Sequence, residues 1–500
     1  MSEETIRSRS EIPESDKWNI ETMYKTREEW EKDRQEAISS AEAFPEKYRG
    51  KLGESAEILA DALTEDARIE QITERVFVYA HQKLDEDNRN STQQEMNGLA
   101  LDAAARVQAA SSFLIPEILE IPEETLLKYQ KEDPRLADYA YEFKTLLREK
   151  AHILSPEEEH LMARLGEVLD GSDQVFTMLN DADLKFGTIQ GEDGNPVEVT
   201  HGNYIKLMRS KNRDVRKNAF EACYRMYQSH INTISANYGL QVKTDVIRSK
   251  IRKYPSSRAM ALSSGNIPES VYDNLIEEVH AALPAMYRYI AKRRKILGVD
   301  KLKMYDVYVP LVEIPEREYS FEDAVELGKK GLAPLGQEYL DQFQRGIDER
   351  WIDIYENEGK TRGAYSFGSY DSAPFVLMNF SGTLDDVFTL VHEMGHSMNS
   401  YYTRKTQPFI YGDHSIFTAE VASTVNETLL MRYLLKTEKN PNMRKYILNL
   451  YLEAFRTTLF RQTMFAEFEK KTHEFVEEGG SLTADFLCGE YEKLNQEYFG

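Results

Sequence analysis

Between Ile20 and Leu169 the apolar residues recur about every 3.6 positions along a long and highly charged stretch. This spacing puts the apolar side chains on one face of each helix, and such faces are buried against one another. Only scattered helix breakers interrupt the pattern, such as Pro45, Pro116 and Pro134. The sequence has no fixed-period repeat, which argues against a solenoid array. This part of the chain is therefore predicted to fold as helices packed on helices.

The pattern changes at KFGTIQGEDGNPVEVTHG, which spans Lys185 to Gly202. Two short β-rich runs flank a turn rich in Gly, Asp, Asn and Pro, and this arrangement predicts a β-hairpin. Helical periodicity then returns from Tyr204 to Ser249 and from Glu269 to Leu297. The change of pattern suggests an N-terminal helical domain of residues 1–185 and a second domain of residues 186–500.

Three later segments are short and rich in β-branched or aromatic residues, as strands are. They are Met304–Ile314, Trp351–Tyr355 and Phe375–Phe380. All three precede the stretch TLVHEMGHSMNS, Thr389–Ser400, in which two histidines are four residues apart. The sequence therefore predicts a mainly α protein with a small β-sheet beside this motif.

Composition excludes several classes of function. Sixty-two basic against 85 acidic residues give a net charge of −23, which would repel nucleic acid and anionic membranes. The short basic clusters lie among helical segments and are typical of solvated helix faces. No segment reaches the roughly 18 apolar residues of a membrane span, and the N-terminus lacks the apolar core of a secretory signal. With only two cysteines, Cys223 and Cys488, a cytoplasmic protein without disulfides is expected.

The motif lies on a predicted helix from Thr383 to Tyr402. Thr383 can cap this helix, and Asp386 three residues later completes a capping box. At about 100° per residue, His392 and His396 extend the apolar face of the helix. Two interpretations are open at this point: a pair of core histidines with a solvent-facing Glu393, or two metal ligands.

The pairing of the two histidines favours the metal site. From composition, roughly 0.03 occurrences of a His-acid-x-x-His pattern are expected by chance. Two neutral imidazoles one helical turn apart are well placed to hold one Zn²⁺. Gly395 lies inside the same helix, where glycine costs about 1 kcal/mol relative to alanine. Its absent side chain would let another backbone approach, either to supply a third ligand or simply to pack tightly.

The next predicted helix, Ile416–Leu435, offers that third ligand. It carries Glu420 and Glu427 seven residues apart, hence on one face. We expect Glu420, 24 residues after His396, to be the third zinc ligand. Glu427 would accept a hydrogen bond from a ligand imidazole. Surface salt bridges are the alternative for the two glutamates, and His414 is a rival ligand.

Three protein ligands leave one zinc position open, as in catalytic sites. A zinc ion there polarises water and carbonyl groups, and Glu393 could take the proton of the water and pass it to the leaving amine. This chemistry is peptide hydrolysis.

The motif also resembles a known family. HEMGH followed by a Glu within AEVASTVNE is similar to the M3 zinc metallopeptidases, the group of thimet oligopeptidase and oligoendopeptidase F. The resemblance extends over about Leu169 to Glu469. It is carried there by the segments GAYSFGSYDSAPFVLMNFSGTLDDVF, DADLKFGTIQGEDG, VTHGNYIKLMRSKNRDVRKNAFE, YDVYVPLV and LFRQTMFAEFE. The resemblance implies one zinc ion at His392, His396 and Glu420, with Glu393 as general base.

The resemblance also implies a zincin-type, multi-helix fold with a deep channel that admits short peptides as substrates. Residues 186–500 would then be the catalytic domain. The strand Phe375–Phe380 would offer its edge to an extended peptide, although an ordinary sheet strand fits the sequence equally well. The sequence assigns no substrate-binding residue and no oligomeric state.

One part of the family pattern has no counterpart in this sequence. Family members continue into a segment of the type HFYxxFYxY, which helps to stabilise the tetrahedral intermediate, whereas this sequence ends at NQEYFG and is short relative to the family. We therefore assign no oxyanion-stabilising residue and expect slow hydrolysis. The leading hypothesis is a zinc endopeptidase; a zinc carboxypeptidase and a zinc-holding peptide-binding protein with little turnover are the alternatives.

Overall fold

The computed structural model describes residues 7–169, 171–313 and 317–500. The protein is 73% helical, which confirms the prediction of a mainly α fold. In chain order the helices are α1 (Arg27–Tyr48), α2 (Ala56–Glu86), α3 (Ser91–Ser111), α4 (Leu114–Glu120), α5 (Glu123–Glu132), α6 (Ala140–Glu149), α7 (Pro156–Leu169), α8 (Gly171–Thr177), α9 (His201–Met208), α10 (Arg213–Ser229), α11 (Ile231–Ile251), α12 (Ser257–Ser263), α13 (Glu269–Leu297), α14 (Phe321–Leu332), α15 (Gln337–Asp348), α16 (Leu384–Thr406), α17 (Ile416–Thr437), α18 (Pro441–Ala454), α19 (Arg461–Glu477) and α20 (Ala484–Phe499).

Local sequence explains where many of these helices begin and end. The side chains of Thr26 and Ser55 accept backbone N–H groups at the starts of α1 and α2. Such caps satisfy donors that have no partner within the helix. Helix α13 has the predicted bounds and ends at Gly298, whose φ of 64° is the left-handed conformation that glycine adopts at low cost.

Two small β-sheets accompany the helices. Strands β1 (Thr188–Gln190) and β2 (Pro196–Glu198) pair antiparallel, which confirms the predicted hairpin. Strands β3 (Ile352–Asp353), β4 (Tyr365–Phe367) and β5 (Phe375–Leu377) form a second sheet in the order β3-β5-β4. The predicted strands at Trp351–Tyr355 and Phe375–Phe380 are therefore present in shorter form.

The position of β5 contradicts one prediction. β5 pairs parallel with β3 and antiparallel with β4, so both of its edges are occupied. It cannot offer an edge to an extended peptide, because each strand has only two hydrogen-bonding edges. The edge strands of this sheet are β3 and β4.

The predicted strand over Met304–Ile314 was wrong for the part that the structure describes; Ile314 itself lies outside the described residues. A short 3₁₀ turn, Met304–Asp306, takes its place. The Asp306 carboxylate is fully buried and accepts hydrogen bonds from Arg213 and Arg216. This charged anchor holds the turn, and Val307 directly after it is buried without forming a strand.

The chain divides into two compact units. Unit 1 comprises residues 1–150 and 316–437, and unit 2 comprises residues 151–315 and 438–500. Each unit is discontinuous in sequence. The expected division at residue 185, which follows the change of pattern in the sequence, stays a prediction.

Each unit has its own hydrophobic core. In unit 1, buried residues such as Phe44, Leu59 and Phe143 join α1, α2 and α6. In unit 2, Leu283, Met464 and Tyr498 join α13, α19 and α20. Among the described residues, no helix is both long and apolar enough to cross a lipid bilayer.

Candidate metal centre

Helix α16 begins as its sequence predicts. The Thr383 hydroxyl accepts the backbone N–H of Asp386 at 3.2 Å, and the Asp386 carboxylate accepts the N–H of Thr383 at 2.8 Å. This reciprocal capping box sets the start of the helix. Two turns later, His392 and His396 lie on one side of α16 with their ring centroids 4.8 Å apart.

Helix α17 packs directly against α16 at Gly395. A Cβ atom on Gly395 would lie 2.8 Å from the Cα of Ser423 and 3.0 Å from the carbonyl oxygen of Ala422. The two backbones are thus in contact where glycine is required. Nearby, the buried Asn426 amide donates to the carbonyl oxygen of Val391 at 2.9 Å. Together these contacts bring the glutamates of α17 to the histidines of α16.

We predict that Gly395→Ala separates α16 from α17 and weakens metal binding at least about tenfold, as loss of supporting structure around a metal site does. The added methyl group would meet backbone atoms that cannot move without shifting α17. Zinc affinity measured by competition with a chromogenic chelator checks this. Gly98→Ala on α3 is the matched control, since a Cβ there meets nothing within 4 Å. Equal zinc affinity in the two variants would contradict the packing argument.

Three candidate ligand atoms converge between α16 and α17. The Nε2 atoms of His392 and His396 are 3.1 Å apart, and the Oε2 atom of Glu420 lies 3.5 and 3.6 Å from them. Ligands at about 2.0–2.1 Å from a tetrahedral zinc ion are about 3.3 Å from one another. The donor types and their spacing therefore fit zinc. The Glu420 side chain is 64% exposed, which leaves one side of the position open to solvent.

Glu427 orients one of the imidazoles. Its Oε1 atom lies 2.5 Å from Nδ1 of His392, so that Nδ1 carries the proton and Nε2 offers its lone pair. Burial lowers the pKa of His392, but the hydrogen bond to Glu427 and the charges of Glu393, Glu427 and Glu420 together outweigh burial, and the net pKa is raised. Burial and the neighbouring His392 lower the pKa of His396, which favours its neutral form.

Glu393 does not face solvent. This contradicts the interpretation of the motif as two core histidines with a solvent-facing glutamate. Glu393 is only 7% exposed, and burial raises the pKa of its carboxyl group to about 7. The backbone N–H of Ser366 in β4 donates to its carboxylate. The Ser366 hydroxyl also bonds the Ser397 hydroxyl of α16 at 2.8 Å. The small sheet thus lies beside the helix that carries His392 and His396, as predicted.

His414 is not part of the cluster. Ligand atoms of His392, His396 and Glu420 all lie within 4.8 Å of one another, and His414 does not belong to this group. Sequence reasoning missed Ser366 and Asn426. Ser366 acts through its backbone, which leaves no signal in the sequence, whereas Asn426 is a polar residue at helical spacing from the buried Leu430 and Leu434 of α17 and could have been noticed.

A second group of ligand-type residues lies in unit 2 and is a salt-bridge cluster. His280 lies 2.7 Å from Glu467 and 3.2 Å from Glu497 through its two ring nitrogens. Glu467 also pairs with Lys471 at 2.9 Å and accepts the Tyr498 hydroxyl at 2.9 Å. The carboxylates of this group already pair with the His280 imidazole and the Lys471 ammonium. Few carboxylate oxygens are therefore left to bind a metal ion.

The candidate metal centre belongs to a stretch of sequence shared with a known family. Residues 206–500 match the family described as Peptidase family M3, and residues 117–186 match the one described as Oligopeptidase F. The chain belongs to peptidase family M3. As an M3 peptidase it is a metalloendopeptidase, and peptidases of this family are in general zinc-dependent.

Individual relatives of this M3 peptidase support the same conclusion. Oligopeptidase PepF of Bacillus subtilis (strain 168) is 44% identical over 492 residues, covering 98% of this chain and 73% of the relative. An oligoendopeptidase F homolog of Lactococcus lactis subsp. lactis (strain IL1403) is 42% identical over 493 residues, covering 99% and 82%. The crystal structure of oligoendopeptidase-F from Enterococcus faecium superimposes with a TM-score of 0.72 at 36% identity, covering 95% and 80%. The resemblance seen in the motifs is thus confirmed.

Proposed function

We propose that this M3 peptidase holds one zinc ion at His392, His396 and Glu420 and hydrolyses internal bonds of short peptides. The observation that carries the proposal is the triangle of donor atoms, with sides of 3.1, 3.5 and 3.6 Å. Two imidazole nitrogens and one carboxylate oxygen are the donor set of a catalytic zinc site with an open position.

The residues around this position have separate roles in the proposed mechanism. When bound, zinc supplies Lewis-acid polarisation of a water molecule and of the peptide carbonyl group. Glu393 takes the proton of the attacking water and delivers it to the leaving amine. Glu393 follows His392 directly in α16, and its carboxyl group is buried, which keeps this group beside the proposed zinc position. Glu427 holds His392 in the tautomer that leaves Nε2 free.

The substrates are proposed to be short peptides, since the relatives bear the names oligopeptidase and oligoendopeptidase. The deep channel implied by the resemblance stays a prediction. A cytoplasmic location is proposed because the cysteines, buried Cys223 and exposed Cys488, are both free thiols.

The proposed function is tested by zinc stoichiometry together with cleavage of a quenched fluorescent peptide whose two termini are blocked. We expect one zinc ion per chain, cleavage at an internal bond, loss of cleavage with a chelator and recovery when zinc is restored. Cleavage only of peptides with a free C-terminus would instead identify a carboxypeptidase. Zinc binding without any turnover would identify a peptide-binding protein.

We predict that Glu420→Gln and His396→Ala each lower zinc affinity more than about 100-fold, because each removes one of three protein ligands. Metal content after dialysis against a weak chelator measures this. Glu427→Gln is the control, since an amide oxygen can still accept the His392 hydrogen bond and the loss should be smaller. Full zinc occupancy in Glu420→Gln would reject this ligand and direct attention to His414.

A further inference from the structure

Unit 2 contains a large open cavity, and none of the candidate metal ligands is among its lining residues. Its volume is about 1270 Å³, and all of its lining residues belong to unit 2. Aromatic and aliphatic side chains from α9, α10, α11, α19 and α20 form much of the wall, among them Tyr204, Phe220, Phe468 and Leu487. A concave, mainly apolar site of this size with a few polar groups is typical of a ligand site.

Two guanidinium groups lie in this wall, and they differ in their partners. Arg456 is 2% exposed and is neutralised by Glu453, whose Oε2 atom accepts from it at 2.7 Å. Arg461 donates to the Tyr308 hydroxyl at 2.8 Å and lies over the ring of Phe465 at 5.0 Å. Within the described part of the chain, Arg461 forms no ion pair with a carboxylate. The cavity therefore presents one uncompensated cation.

The remaining charges at the cavity do not neutralise Arg461. Asp173 and Glu492 line it as well, but both are exposed, and Glu492 accepts a hydrogen bond from Gln496 at 3.2 Å. Arg461 itself is only partly exposed, and a cation held against aromatic rings has lost part of its hydration. A carboxylate from a ligand would replace the lost hydration of Arg461 with a charge-assisted, bidentate ion pair.

We propose that this cavity binds a peptide segment through its aromatic wall and recognises a peptide carboxylate through Arg461. The inference rests on the proposed function, which makes peptides the natural ligands. The carboxylate is either the C-terminus of the peptide or an acidic side chain, since both offer the same pair of oxygens. Tyr224 and Tyr491 are 53% and 37% exposed at the cavity, so apolar peptide side chains can reach them from solvent.

The test uses the zinc-loaded full chain carrying Glu393→Gln, so that peptides bind without being cleaved. The probes are three fluorescein-labelled heptapeptides of Leu, Phe and Gly: one with a free C-terminus, one with a C-terminal amide, and one amide in which a central residue is Glu. We expect the plain amide to bind about tenfold or more weakly than at least one carboxylate form, the size of effect that a lost charge-assisted hydrogen bond produces. Which carboxylate form binds tightly identifies the source.

Arg461→Gln should abolish this preference, whereas Arg461→Lys should retain part of it because the charge is kept. The matched control is Arg225→Gln, which removes the same charge from an exposed position of unit 2 that does not line the cavity. Equal binding of all three peptides, or an unchanged preference in Arg461→Gln, would overturn the proposal. Should Arg461→Gln fold poorly, Arg461→Lys and the peptide series still decide the question.

A thiol reagent shows whether the peptide occupies this cavity. Cys488 lines it and is exposed, whereas Cys223 is buried and burial raises the pKa of its thiol to about 11. Cys488 should therefore react first, and saturating carboxylate peptide should slow its modification several-fold. An unprotected Cys488 would place the peptide elsewhere and overturn the proposal. Arg461-dependent binding in a protein that hydrolyses no peptide would support the cavity and reject the proposed activity.

Discussion

Replacing Glu393 by glutamine should lower kcat by about 10³-fold or more while the zinc content stays at one ion per chain. The amide cannot accept the proton of the attacking water, and general acid–base catalysis contributes about 10² to 10⁴-fold. Zinc should be retained because the three candidate ligand atoms belong to other residues, His392, His396 and Glu420. Steady-state cleavage of the quenched peptide and metal analysis of the same sample measure the two quantities.

The control for Glu393→Gln is Glu338→Gln, an exposed glutamate at the start of α15, which should leave both quantities unchanged. Loss of zinc from the Glu393 variant would make this residue a ligand instead of a base. Unchanged kcat would remove it from the mechanism.

Asp353→Ala should destabilise unit 1 by about 3–5 kcal/mol, the cost of leaving buried charges without their partner. Asp353 in β3 is fully buried, and its carboxylate pairs with Arg9 at 2.5 Å and with Lys360 at 2.7 Å. Burial by itself would raise the pKa of Asp353, but the two cations outweigh burial and hold the pKa below its ordinary value. The Lys360 side chain is 0% exposed, so it cannot reach water when the carboxylate is removed. Thermal unfolding followed by circular dichroism measures the loss.

Glu358→Gln is the comparison for this stability prediction. Glu358 pairs with Arg89 at 2.9 Å, but both side chains are about half exposed, at 44% and 56%. Exposed pairs contribute little, because water and salt screen them. We expect no change in Tm for Glu358→Gln and a clear fall for Asp353→Ala. Equal Tm values would show that the buried cluster does not stabilise unit 1.

Features that depend on a few neighbouring residues could be predicted from the sequence. The start of α16 follows from the Thr383 and Asp386 capping box, and the hairpin of β1 and β2 follows from its turn residues. The positions of His392 and His396 on one side of α16 follow from helical geometry alone. The chemistry of the motif, two imidazoles with an adjacent carboxylate, could likewise be predicted because it lies within one helix.

Tertiary structure decided what depends on contacts between distant residues. Three features of this kind join segments that are far apart in the chain. They are the approach of α17 to Gly395, the hydrogen bond from the Ser366 backbone to Glu393, and the central place of β5 in its sheet. The uncompensated charge of Arg461 is of the same kind, since only packing shows which cations lack a partner. Helical periodicity specifies which face of a segment is buried, but not which partner covers it. For this peptidase the sequence determined the reactive groups, and long-range packing determined their distances and surroundings.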